Sequence, residues 1–330
     1  MQRIASETAA RLDRRDVLLA SGLTAGLAVA PFGVAAEEQK SEKKQIAVEN
    51  LSTFQKKDQL AAALQRAEAA LRAGLTKEDA NVALRAVLLD AGTYDISSNT
   101  GGVNGSIVLD QELGRPENKD IKSYIGKLKA IKQKIDQNSK AAGQGEYSWA
   151  DVLVLAAKVT AQKLWASVKI KQSGLQGDEA GVISSVYGAD FPVKLGRVDA
   201  TKPDPSGRVP KPDARVQDIQ KFLSALNNPN KEAPSGLFAI FQAKPLFWER
   251  PAFLLWTAAQ KDPEKEEQRW VAADPQYKDI KKDYDSSRKS VTRTNYEVDF
   301  VTFFTNLANT GANFNPSAYL KPIDSLVTRL

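Results

Sequence analysis

The stretch Arg85-Ala-Val-Leu-Leu-Asp-Ala-Gly-Thr-Tyr-Asp95, followed closely by Gly101-Gly-Val-Asn-Gly-Ser-Ile107, decides how the chain folds. Its first half closes a helix that Thr76 can cap and that runs to about Asp90. Leu88 and Leu89 sit in that helix as ordinary core residues. Asn104 and Gly105 have the chemistry of a turn, where a short polar side chain and a missing Cβ are both useful. Arg85 has two readings: a guanidinium left to meet an anion, or a buried arginine paired with a carboxylate.

Helical patterns extend on both sides of this stretch. Residues 57–73 are rich in strong helix formers and run to Gly74. In 119–136, Ile121, Tyr124, Ile125, Leu128, Ile131 and Ile135 recur at helical spacing and predict a one-sided buried stripe. Ser148 and Asp151 read as a capping pair opening a helix over 149–167 whose apolar residues surround most of its circumference, which makes it central. Four prolines in 200–214 (Pro203, Pro205, Pro210, Pro212) forbid a helix and mark a connection. Further helices are expected near 215–226, 249–261 and 295–309, the last carrying Tyr296, Phe300, Phe303, Phe304 and Leu307. Strand signals are few, the best being Phe191 to Leu195. The reading is mainly α, in two lobes.

Composition excludes more than it proposes. The 330 residues, 42% hydrophobic, suffice for a sizeable core. A net charge of +6 allows docking on an acidic protein or membrane surface but is too small and scattered for nucleic acid. There is no cysteine, so disulfides, thiol nucleophiles and Cys-ligated metals are excluded. There is no histidine, so serine triads and imidazole-bound metals are excluded too, and no metal site is expected.

The N-terminus carries an address. Arg14-Arg15, the apolar run Val17 to Ala30 and the small-residue tripeptide Val34-Ala35-Ala36 are the three parts of a signal peptide, with cleavage expected after Ala36. The arginine pair points to the twin-arginine route. That route serves bacterial periplasms and thylakoid lumens alike. Glu7 and Asp13 before the pair are unlike a chloroplast transit peptide, so both compartments stay open on this evidence. Residues 37–53 are polar and expected to be flexible.

Read block by block, the chain resembles the class I plant-type haem peroxidases, the ascorbate peroxidase branch. Arg85 to Asp95 resembles that family's R-x-x-W-H-D-A-G-T-Y-D, and Gly101 to Ile107 its G-G-x-N-G-S-I. Ser148-Trp-Ala-Asp151, Gly196-Arg-Val-Asp199 and Ser206-Gly-Arg-Val-Pro210 resemble three further blocks in the family's order, over about 76–214, and Asp299-Phe-Val-Thr-Phe-Phe304 resembles one near the C-terminus. The resemblance implies a two-lobed haem-peroxidase fold with few short strands: a distal lobe over 54–200, the Pro-rich connection 201–214, and a diverged proximal lobe over 215–330.

It also implies what each site position should do. In the family a distal His moves a proton between the peroxide oxygens, an Arg stabilises the developing charge, an Asn orients the His, and a proximal His, backed by an Asp, ligates the iron. Here the Arg and Asn positions are kept as Arg85 and Asn104. The Trp and His positions hold Leu88 and Leu89. The proximal segment has its best counterpart in Phe238 to Pro245, placing Lys244 at the ligand position, with Gln268 at the Asp position. No catalytic residue and no cofactor are therefore expected. Haem b enters only under an alternative in which a non-histidine ligand such as Lys244 holds the iron and an ascorbate-peroxidase-like activity serves the oxidative-stress response. These departures resemble a degenerate thylakoid-lumen branch, associated with photosystem II and regarded as lacking ordinary peroxidase chemistry. They imply a scaffold or auxiliary protein, peripheral to the membrane at most, with photosystem II or another lumenal membrane complex as partner. Arg197, Asp199 and Arg208 look structural on this reading. The run Lys278, Lys281, Lys282, Arg288, Lys289 and Arg293 is a solvated face able to dock on an acidic partner.

Overall fold

The computed structural model describes residues 45–187, 191–211, 213–226, 256–257 and 260–325. All but the start of the chain, Lys44–Leu330, is one compact unit. The signal segment, the helix expected near 249–261 (apart from Trp256, Thr257, Gln260 and Lys261) and the segment 238–245 lie outside the described residues.

The fold is mainly α, as expected, and several helices begin where the sequence supplies a cap. α1 (Thr53–Gly74) opens on a capping box: Gln55 N–H donates to Ser52 Oγ, and Ser52 N–H to Gln55 Oε1 at 2.8 Å. Thr76 and Asp79 form a second box that leads into α2 (Ala80–Ala91), and Lys127 pairs with Asp79 at 2.7 Å. The short α3 (Asp110–Leu113) and a 3-10 turn precede α4 (Lys122–Ala141), which buries Tyr124, Ile125, Leu128 and Ile135 as its stripe predicts. α5 (Trp149–Ser173) is the axis of the molecule, and every residue from Ala150 to Ala161 is buried. It packs on α1 and α2, and against α6 (Gly177–Tyr187). α7 (Val216–Leu226), α8 (Pro263–Ala273), α9 (Tyr277–Ser287) and α10 (Asn295–Leu307) follow. Side chains from α1, α2, α4, α5 and α7–α10 share one hydrophobic core.

Three expectations need correction. The segment Phe191 to Leu195 forms no strand. Phe191 is instead an anchor, fully buried with its ring edge-on to Trp165, Phe300 and Phe304, and among the described residues no strand lies beside it to pair with. The only sheet among the described residues pairs β1 (Gln45–Ile46) with β2 (Ile323–Asp324). Residues 45–53 of the expected flexible lead-in are accordingly structured, because that pairing and the Ser52 cap hold them. Asp151 closes no reciprocal cap. Ser148 Oγ does accept from Asp151 N–H at 3.1 Å, but the Asp151 carboxylate is committed elsewhere.

That commitment joins the chain's distant parts. Arg197 Nη1 donates to Asp151 Oδ1 at 2.8 Å, with both side chains fully buried. Gly196 N–H and the Tyr319 hydroxyl donate to Asp151 Oδ2 at 2.7 and 2.8 Å. The remaining donors of Arg197 reach Ala308 O and Asn309 Oδ1 just past the end of α10, and Lys194 O. Asp199 accepts from the first two amides of α5, Trp149 N–H at 2.7 Å and Ala150 N–H at 2.9 Å, where the helix dipole favours a negative charge. Asp151→Ala leaves the Arg197 charge buried without a partner. It is expected to cost about 3–5 kcal/mol of unfolding free energy in urea, whereas Tyr319→Phe, which removes the bonds to Asp151 and from Ser148 N–H, is expected to cost about 1–3 kcal/mol.

Candidate functional site

The end of α2 and the loop after it hold the positions singled out in the sequence. Leu88 and Leu89 are 1% and 3% exposed and belong to the core. Arg85, one turn earlier, is 5% exposed. Its Nη2 donates to Glu117 O at 3.2 Å, and its buried Nε has no acceptor. No carboxylate lies within ion-pair distance among the described residues, so the expected pairing of a buried Arg85 with an acid is not what the structure shows. Burial pulls its pKa down, opposed by Asp120.

Asn104 is a turn builder. Its Oδ1 accepts from Ser106 N–H at 2.9 Å, and its Nδ2 donates to the Asp204 carboxylate at 3.2 Å. Asp204 sits in the Pro-rich connection, so Asn104 ties that connection to the loop after α2. Arg208 does the same from the other side, donating to Thr93 O at 2.6 Å and lying 3.7 Å from Asp95. Gly102 makes the close approach possible. Its φ is +102°, and a Cβ there would meet Thr310 O at 2.6 Å.

The residue that the sequence reading passed over is Asp90, although it lies inside the decisive stretch. It is fully buried, and its carboxylate accepts from Asn104 N–H (3.1 Å), Gly105 N–H (2.9 Å) and Ile107 N–H (3.3 Å). It therefore shapes the loop that carries Asn104. A lone acid in an otherwise apolar helix end was the available signal. Burial raises its pKa from 3.8 to about 8, with the amides of Gly105 and Ile107 pulling the other way. Burial likewise raises that of the neighbouring Glu112, whose carboxylate accepts from Asp204 N–H at 2.9 Å.

The space facing Leu89 is small. Leu89, Thr93, Glu112, Arg115, Arg208 and Val209 surround a cavity of about 10 Å³, room for roughly one water. Val209 and Phe222 also pack against Gly92, where an added Cβ would meet them at 2.9 and 2.8 Å. Leu89 has no proton acceptor to offer, and the carboxylate in the same lining, Glu112, is held by Asp204 N–H and by Arg115 at 3.4 Å. Haem iron takes His, Cys, Met or Tyr as protein ligand. The chain has no His or Cys, and its one Met is Met1. Burial holds the pKa of Tyr147 and Tyr284 up to about 12, and those of Tyr124 and Tyr319 higher, which keeps these four as neutral phenols. None of these four offers a ready phenolate to an iron, and the segment expected to supply a ligand, 238–245 with Lys244, lies outside the described residues. Gln268 is exposed on α8; the buried acid beside it, Glu267, is held by Arg288 at 3.1 Å and Lys281 at 3.2 Å. No cluster of three metal-ligating side chains occurs among the described residues.

A helical fold with this loop architecture is that of the plant-type peroxidases. The peroxidase family model matches residues 53–233, more than half of the chain, and the chain belongs to that family. It is 31% identical over 74% of its length to the chloroplastic thylakoid lumenal 29 kDa protein of Arabidopsis thaliana and 34% identical over 72% to that of Solanum lycopersicum. The matches span 65% and 64% of those relatives' own lengths. The crystal structure of the TL29 protein from Arabidopsis thaliana superposes with a TM-score of 0.68 at 28% identity, covering 80% of this chain and 99% of that one. The peroxisomal L-ascorbate peroxidase 5 of Arabidopsis thaliana is 28% identical over 44% of the chain and 41% of its own length. The chain is thus a degenerate plant haem-peroxidase family member of the chloroplast thylakoid lumen, and the periplasmic alternative falls away.

Asp90 sets a pH dependence. Its pKa is higher folded than unfolded, so the folded state holds the proton more tightly. The stability this group contributes is full below about pH 4 and is lost as pH rises toward about 8. Asp90→Asn, which cannot ionise, is expected to gain on the wild type in urea-unfolding free energy as pH rises from 4 to 8. A gap that moves the other way overturns this assignment.

Proposed function

We propose that this protein is a non-catalytic auxiliary or scaffold of the thylakoid lumen that docks on a lumenal membrane complex, with photosystem II as its partner. One observation carries the reading: the position of the proton-transferring His is occupied by Leu89, buried in the core, in a chain without any histidine. General acid–base catalysis needs a group that exchanges protons near the working pH. Arg85 is too basic for that task, and Asn104 does not ionise. The carboxylates of Asp90 and Glu112, whose pKa values burial raises, are taken up by backbone amides of Gly105 and Asp204.

The α9 face supplies the means of docking. Lys278, Lys281, Lys282 and Lys289 surround a shallow basin of about 350 Å³ with Val271, Asp285 and Ser286. Lys281 is tied to Asp285 at 2.8 Å and to Glu267, and Arg288 to the same two carboxylates. Lys278, Lys282 and Lys289 form no ion pair among the described residues, so three charges on one face are left for an acidic partner. No described helix is long and apolar enough to cross a membrane, which suits a peripheral attachment.

Two measurements test the proposal. Titration of the full chain with haemin is expected to give no stoichiometric Soret band; such a band, with peroxide turnover abolished by Lys244→Ala, overturns the scaffold reading in favour of a haem protein with an unusual ligand. In co-sedimentation with photosystem II membranes, the triple change Lys278→Gln, Lys282→Gln, Lys289→Gln is expected to weaken binding about tenfold at low salt, and wild-type binding to fall as salt rises. Wild-type and variant chains that bind alike, or salt-independent binding, reject the docking face.

A further inference from the structure

A further concavity shares no lining residue with the cavity beside Leu89 or the basin on α9. Where α2, α5, α8, α9 and α10 converge, a groove of about 390 Å³ is floored by Leu84, Ala161, Trp165, Val168, Tyr284 and Phe300. We propose that it binds a neutral, flat, ring-bearing molecule carrying a carbonyl-type hydrogen-bond acceptor.

The volume falls within the range of small-molecule sites, about 300–1,000 Å³. Two aromatic rings and an indole on the floor favour a ring over an alkyl chain, since aromatic surfaces stack or meet edge to face. The charge on the wall argues for neutrality. Arg288 is held by Glu267 and Asp285 and lies 4.0 Å from the Tyr284 ring. Glu297 pairs at 2.5 Å with Lys169, a lysine with no exposed surface. A charged ligand would have to break one of these pairs or sit beside the exposed Glu264 at the rim.

Two uncharged polar groups of the lining residues carry no hydrogen bond among the described residues. Asn81 makes no side-chain hydrogen bond among the described residues. The Nε1–H of Trp165 is buried and has no acceptor. A buried donor left unanswered is costly, and nearly all such groups in folded proteins have a partner. From the groove itself a ligand carbonyl oxygen meets the amide of Asn81, and it reaches the indole N–H, which has no exposed surface, when the ring turns toward it. The indole meets the edge of Phe191, and Lys169 Nζ lies 5.9 Å from its centroid. The inference stands apart from the docking role and is tested independently of it.

The test uses the ¹⁵N-labelled full chain, in which the Trp165 indole resonance is identified by its loss in Trp165→Phe. α-Tetralone, a fused-ring ketone, is expected to shift that resonance saturably and to bind about tenfold more tightly than tetralin, the same ring system without the oxygen. Trp165→Phe keeps an aromatic floor and is expected to bring the two affinities together, as followed by calorimetry. Val168→Phe, which fills the groove without touching the indole, is expected to abolish binding of both compounds. Equal affinity of the wild type for the ketone and the hydrocarbon overturns the proposal, as does the lack of a saturable shift. A Trp165 resonance that moves with protein concentration alone assigns the groove to a second copy of the chain and overturns it too.

Discussion

Asp151 and Arg197 hold this molecule in one piece. The aspartate stands in the first turn of the central helix, the arginine in a loop some forty-five positions later, and each satisfies groups from a third part of the chain. Through Tyr319 and the end of α10, the pair ties the C-terminal segment to α5. Charges removed this completely from water survive only when every donor and lone pair is answered, and here Arg197 finds carbonyls, an amide oxygen and a carboxylate. Its burial lowers its pKa and Asp151 raises it again, which is how a salt bridge inside a core balances. The four-residue block that begins at Gly196 is therefore the clasp of the fold, and nothing in its role requires chemistry on a substrate.

The same separation of architecture from reactivity holds at α2. Asp90, Asn104, Arg208 and Asp204 form a mesh that fixes the loop after the helix and ties it to the Pro-rich connection. Two residues of the helix face that should meet a cofactor are leucines packed into the core instead. The mesh is kept because it builds the loop. The face has been filled because an unfilled apolar slot costs stability.

Much of this was legible before the fold was seen. Caps at Ser148 and Thr76, the stripe of α4 and the apolar circumference of α5 announce helices, because hydrophobic period and end-capping chemistry are local. α8 and α9 were missed for a physical reason. Asp262-Pro263 is a fair helix start, but the following residues are so charged that only Trp270 and, in α9, Tyr277 and Ile280 register as a buried face. Phe191 misled in the opposite sense, since an apolar run can serve one anchoring ring with no strand beside it. The site was legible by subtraction: a missing histidine can be counted, whereas the three amides gathered by Asp90 exist only once the loop has folded. The unanswered guanidinium of Arg85 was equally out of reach, because whether an acid stands nearby is a long-range fact.

The two-residue ladder between Gln45–Ile46 and Ile323–Asp324 brings the first and last described segments side by side. The path of the folded chain is thus nearly a ring, interrupted at one seam. A chain built this way is a natural candidate for circular permutation: the old ends can be linked by a few residues, and new ones opened in an exposed turn, without disturbing the clasp at Arg197.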